Sequence, residues 1–191
     1  MLPSDLPTTQ AKGLRLRVAT NNRWIAGHVT TLHSRLIDAL MSMYGQDIDL
    51  KEVVVGQTPY PSAEVPAVAY ANVNLDAVLL ALPVEGASSP TPSDPYAVLH
   101  KQPHRLRLGV GPYEVEGNIY LAEGSSLQEG LIATRAPFVL LTDAVITRAD
   151  GTGRWVEPVV IVSRQRADYL MPVPAAAQAP SARAVGVAAT T

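Results

Sequence analysis

Four histidines (His28, His33, His100 and His104), the carboxylate pair Glu114 and Glu116, the glycines of Gly109-Val-Gly111 and the serines Ser125 and Ser126 are the residues whose types could do chemistry. A metal centre needs three or four ligands that converge. His28 and His33 are separated by a strand end, and His100 and His104 lie where nothing supports a helix that would align an i,i+4 pair. The four are read as surface histidines, and no metal or cofactor is assigned. Glu114 and Glu116 share one face of a strand, but acid–base work needs a pocket that raises one pKa. That face is read as solvated. Gly109-Val-Gly111 leads into no helix that would aim amides at a phosphate, so it is a turn. Ser125 and Ser126 precede Gln128 and Glu129 by three residues, the spacing of a capping box, and are helix caps before they are nucleophiles. With no catalytic constellation left, the chain is read as a non-enzyme. Arg164 and Arg166 remain as candidate RNA or anion contacts, and Trp24, Tyr120 and Trp155 as candidate partner contacts.

Composition bounds the elements that carry these residues. The 191 residues are 47% hydrophobic with one Phe and two Trp, so cores must be built from Val, Leu and Ala. Sixteen Pro and thirteen Gly fall mostly between periodic segments, as frequent turns between short strands require. A net charge of −2 argues against binding nucleic acid mainly through phosphate neutralisation. The absence of Cys removes disulfides and thiolate chemistry. No signal peptide is visible at Met1-Leu-Pro-Ser-Asp-Leu-Pro7, and runs such as Val78-Leu-Leu-Ala-Leu82 fall well short of the roughly 20 residues that span a bilayer. A soluble, cytoplasmic protein is expected.

Leu14-Arg-Leu-Arg-Val18 alternates strictly and predicts a half-buried strand. After Asn21-Asn22 a second strand is expected, with Ile25, Gly27 and Val29 inward and Trp24, Ala26 and His28 outward. Ser34 is expected to cap a helix from Arg35 to about Met43, and strands follow at 48–55, 66–73 and 76–82. The series restarts with Arg105-Leu-Arg-Leu108, a turn at Gly111-Pro112, a strand through Val115, Gly117 and Ile119, a capped helix with Leu127 and Leu131, and strands at 138–146, 156–164 and 168–173. The expected organisation is an arm (1–13), a unit (14–84), a Pro/Ser-rich flexible linker (85–103), a second unit (104–173) and an Ala/Pro-rich tail (174–191).

The two units align. Arg15, Leu16 and Arg17 fall on Arg105, Leu106 and Arg107, and Gly27 falls on Gly117. One residue of shift then brings Leu36, Leu40, Leu50 and Glu52 onto Leu127, Leu131, Leu141 and Asp143. A further shift places Val68 on Val160. A duplicated β-rich unit is the simplest account.

On Leu14–Val18, Asn22–Val29 and Val68–Leu80 in the first unit, and Arg105–Leu121 and Val159–Met171 in the second, the repeat resembles the Sm-like small barrel. Five short, bent strands with a Gly in the second carry the likeness. The fold expected is therefore mainly β: two tandem five-stranded Sm-like barrels, each with a short helix inserted after the second strand. The resemblance implies RNA-binding rings built by pairing the edge strand of one barrel with that of the next. The loop residues that would touch RNA are only half present, as Ser163-Arg-Gln-Arg166 against Ala71-Asn-Val-Asn74. The reading that follows is a non-catalytic assembly subunit acting by edge-strand pairing and tail docking, with protein partners or self-association. The alternatives are an Sm-like RNA-binding protein and, third, a small-molecule binding domain.

Overall fold

The computed structural model describes residues 12–62, 64–84, 101–133 and 136–174. The C-terminal tail beyond residue 174, most of the N-terminal arm and most of the linker lie outside them. Among the described residues each half contributes five strands and one α-helix, and the first half adds a 3-10 turn at Leu75–Ala77 where the start of a strand is expected. The first half runs β1 (Lys12–Ala19), β2 (Trp24–Thr31), α1 (Leu36–Ser42), β3 (Asp47–Gly56), β4 (Val68–Asn74) and β5 (Leu80–Pro83). The second runs β6 (Lys101–Val110), β7 (Tyr113–Ala122), α2 (Leu127–Ala133), β8 (Phe138–Arg148), β9 (Arg154–Ser163) and β10 (Ala167–Pro172). The helix after the second strand of each half is where the sequence places it. β6 starts at Lys101, inside the expected linker.

The ten strands form one open antiparallel sheet in the order β10-β6-β7-β8-β9-β5-β1-β2-β3-β4. This differs from two units tethered only by a flexible linker. β5 of the first half hydrogen-bonds β9 of the second, with Leu80 opposite Val162 and Ala81 opposite Ile161. Within each half the order is the same: fifth strand, first, second, third, fourth.

The alternation of β1 and β6 settles their faces. Leu14, Leu16 and Val18, like Leu106 and Leu108, are buried, and the arginines between them point away. Burial of each such side chain is worth about 1.5–3 kcal/mol relative to exposure. Two cores result, and each borrows from the other half. One gathers Leu106, Leu108, Val115, Leu141 and Ile146 with Ala19, Trp24, Leu80 and Leu82. The other gathers Leu16, Val18, Leu40, Leu50 and Val73 with Phe138 and Ile161.

Both halves bend at the same place. The β2–β3 register slips between Ala26 and His28, and the β7–β8 register slips between Glu116 and Asn118. In each case the third strand carries one extra residue, a β-bulge that sharpens the twist. Glu52 and Asp143, aligned by sequence, are among the described residues the non-glycine ones with left-handed backbone, at φ 50° and 48°. A Cβ on Gly27 would stand 3.2 Å from Leu50 Cβ and 3.1 Å from the Lys51 carbonyl oxygen. On Gly117 it would stand 2.9 Å from Leu141 Cβ and 3.1 Å from the Thr142 carbonyl oxygen. The same neighbours press on both glycines, which is why glycine is needed there.

The helices differ at their starts. In α2 the expected capping box forms: Ser126 N–H and Oγ–H donate to Glu129 Oε2 at 3.0 and 2.7 Å, and Glu129 N–H donates to Ser126 Oγ at 3.2 Å. In α1 the capping position is Arg35, not Ser34, and it makes no side-chain cap bond.

Candidate functional site

Two features stand out once the halves are superposed by register: the seam between them and the two sheet edges that no described strand covers. Strand pairing supplies the correspondence. Leu50 answers to Leu141, so their partners Ala71 and Val160 correspond, and with them Asn72 and Ile161, Val73 and Val162, and Asn74 and Ser163. Likewise Leu16 answers to Leu106, so Pro83 corresponds to Pro172, Ala81 to Leu170 and Leu80 to Tyr169. Two matching bonds close the strands: Val84 N–H donates to the Arg15 carbonyl at 3.0 Å, and Val173 N–H to the Arg105 carbonyl at 3.1 Å. This register places Val68 on Glu157, three residues from the Val160 expected by sequence. The connection after β3 is longer than its counterpart, so the offset between the halves falls there.

At the seam, Ser163 N–H donates to the Leu79 carbonyl at 2.9 Å. The free edges, β4 and β10, carry the counterparts of both sides of that seam. β4 presents Asn72 and Asn74 and exposes Val68 and Tyr70, at 52% and 56%. Asp49 steadies it, accepting from Tyr70 Oη at 2.6 Å and Asn72 Nδ2 at 2.9 Å. Those two bonds, Tyr70 first, hold the Asp49 carboxyl below the usual range, and the same bond raises the Tyr70 phenol. β10 exposes Tyr169 and Met171, each 41%. Tyr169 lies over Gly109 and donates to Glu114 at 2.7 Å, which raises its phenol.

The contact residues expected from sequence are scattered. Trp24 was expected outward, but it is 2% exposed and stacks edge-on against Tyr113 at 5.7 Å and Trp155 at 6.1 Å. It is the first residue of β2, where the second half covers it, so it is a core residue and not a surface contact. Trp155 is half-buried beside it, and Tyr120 stays exposed. Arg164 and Arg166 share the β9–β10 turn, closed by Ala167 N–H donating to the Arg164 carbonyl at 3.2 Å. Arg166 is exposed, whereas Arg164 is half-buried with Nη1 unpartnered among the described residues.

Glu114 and Glu116, expected as a solvated pair, are held by arginines. Glu116 accepts from Arg105 Nε at 3.1 Å and from Arg107 Nη2 at 2.9 Å, and Glu114 stands 3.6 Å from Arg107 Nε. Burial is the largest single influence on Glu116 and pushes its carboxyl up, but the bonds from Arg107 and Arg105 together bring it below normal. The signal was in the sequence: arginines two apart on β6 face glutamates two apart on β7. It becomes legible only when the pairing register is known.

His28 is half-buried on β2, His33 N–H donates to Thr31 Oγ1 at 3.1 Å, and His104 is half-buried with Nε2 unpartnered among the described residues. His100 lies outside the described residues. No helix among the described residues is long and apolar enough to cross a membrane. Comparison with family models, curated proteins and solved structures finds no match to this chain.

Proposed function

We propose that the chain is a non-catalytic assembly subunit built of two Sm-like small barrels, and that copies pair head to tail, β10 of one along β4 of the next. The observation that carries this reading is the seam. The chain already joins a fifth strand to a fourth strand across its halves, and among the described residues the equivalent fourth and fifth strands, β4 and β10, each keep one edge without a strand partner. Applying the seam register to the free edges places Tyr169 opposite Val73 of the next copy and Leu170 opposite Asn72. The Asn74 N–H would donate to the Asp168 carbonyl. The shared strand order and the duplicated bend at Gly27 and Gly117 support the barrel assignment, since a bulge with a close-packed glycine is how one sheet curls over itself. Unpaired edges that expose Val68, Tyr70, Tyr169 and Met171 are templates for strand addition. Such an interface is heterologous, so it closes into a ring or grows into a filament. Docking of the terminal segments on neighbouring copies belongs to the same proposal.

Size-exclusion chromatography with light scattering across a concentration series tests it. A mass that rises to a multiple of the protomer, and that falls back in Asn72→Pro, is expected. By the alternation of the ladder the Asn72 N–H points out of the sheet, as that of Ile161 points into the seam, so the substitution spares the β3–β4 backbone bonds and removes only the side-chain bond to Asp49. Asn72→Ala, which loses that bond alone, is the control and keeps the assembled mass. A monomer at every concentration contradicts the proposal.

A further inference from the structure

The two halves differ most where their bends open to the outside. In the second half the arginine pair Arg105 and Arg107 closes on the carboxylate of Glu116, an internal ligand. In the first half Arg15 and Arg17 occupy the same positions on β1, but the residue opposite Arg17 is Ala26 where Arg107 faces Glu116. Glu114 has no acidic counterpart either: the equivalent first-half position is the buried Trp24. Among the described residues, no carboxylate lies within ion-pair distance of Arg15 or Arg17. The space is a cleft of about 340 Å³ lined by both arginines together with Ala26, His28, Glu52 and Tyr60.

The cleft walls hold the two guanidiniums in place without neutralising them. Arg15 Nε–H donates to His28 Nε2 at 2.7 Å, and His28 Nδ1 stands 3.2 Å from Glu52 Oε2. This network assigns the imidazole the Nδ1–H tautomer, and the terminal nitrogens of Arg15 have no hydrogen-bond partner among the described residues. Arg17 lies over the Tyr60 ring, 4.6 Å from its centroid, and the Tyr60 hydroxyl is engaged by Glu157. A stacked guanidinium keeps its edge nitrogens available for a planar acceptor.

We propose that this cleft is a carboxylate-binding site, filled from outside by the group that Glu116 supplies internally in the second half. The two halves thus hold one arginine pair in two forms, with an internal carboxylate opposite it and with Ala26 in its place. The recognised chemistry is a carboxylate set between two guanidiniums, borne either by a small dicarboxylate or by an acidic peptide segment. Glu52 at the rim disfavours ligands of high negative charge density next to His28. The proposal is independent of head-to-tail pairing, because β1 and β2 lie inside the sheet and not at its edges.

Isothermal titration of the full chain with glutarate, and separately with an acetylated Glu-Val-Glu amide, distinguishes the two sources. Saturable binding of at least one probe is expected, weakened at least tenfold in Arg15→Gln and in Arg17→Gln. Ala26→Glu, which installs the second half's own carboxylate, is expected to abolish binding while raising the thermal midpoint. Tighter binding of glutarate identifies a small-molecule site, and tighter binding of the peptide identifies a partner segment. Absence of saturable binding by both probes overturns the proposal. Binding that survives Ala26→Glu in a folded variant also overturns it.

Discussion

Gly117→Ala probes the bend on which both halves are built. The added methyl carbon would sit 2.9 Å from Leu141 Cβ, 3.1 Å from the Thr142 carbonyl oxygen and 3.3 Å from Ala144 Cβ. Two of these are Cβ atoms fixed to the backbone and the third is backbone itself, so no flexible side chain can swing aside. Overpacking of this kind costs about 1–3 kcal/mol. The substitution also restricts the unfolded chain, which returns about 0.4–1 kcal/mol. A net loss of about 1–2 kcal/mol is expected, or roughly 2–8 °C in the thermal midpoint for a chain of this size. The same change at Gly27 meets its neighbours at 3.1, 3.2 and 3.4 Å and should cost less. Gly13→Ala is the control, because a Cβ there meets nothing within 4 Å. Urea unfolding followed by the fluorescence of Trp24 and Trp155 reads all three. If Gly117→Ala proves as stable as Gly13→Ala, the bend is not close-packed and the reasoning fails.

Two further outcomes follow from local chemistry. Ser126→Ala removes the two hydroxyl bonds of the α2 capping box, leaving only the backbone N–H to donate to Glu129, and should lower stability by about 1 kcal/mol, whereas Ser34→Ala, outside the capping position of α1, should leave it nearly unchanged; thermal melts compare the two. Glu116 has a carboxyl pKa depressed below 4.5 in the folded chain, so its contribution is present above that value and is lost as pH falls through the lower folded value. Urea midpoints measured from pH 6 down to 3 should therefore fall less steeply in Glu116→Gln than in the unaltered chain, and parallel slopes would show that the arginine clamp contributes nothing.

Much of the fold was legible because it is local. Alternation at Leu14–Val18 and Leu106–Leu108 gave the inward faces, the Ser126–Glu129 spacing gave a cap, and Gly27 against Gly117 gave the repeated bend. What stayed hidden is non-local. Nothing in the period of Leu80-Ala-Leu82 or Val160-Ile-Val162 says that these strands pair with each other, so the halves read as separate units. Trp24 shows the same limit: alternation divides a strand into two faces but does not say that Tyr113 and Trp155 of the other half cover its outer end. The Arg–Glu clamp needed the β6–β7 register, and the vacancy at Ala26 needed a second copy for comparison.

The head-to-tail account is tested most directly by cross-linking, since the chain has no cysteine of its own. Leu170 and Asn72 are the counterparts of Ala81 and Ile161, which stand opposite each other at the seam. Directly paired residues in an antiparallel ladder have Cα atoms about 4.5–5.5 Å apart, within the span of a disulfide. One reduced preparation carrying Asn72→Cys, another carrying Leu170→Cys, and an equimolar mixture of the two are each exposed to the same oxidant. The account predicts a disulfide-linked heterodimer in the mixture and little cross-linking in either preparation alone. Cross-linking that is absent from the mixture, or equally strong within each single variant, would contradict it.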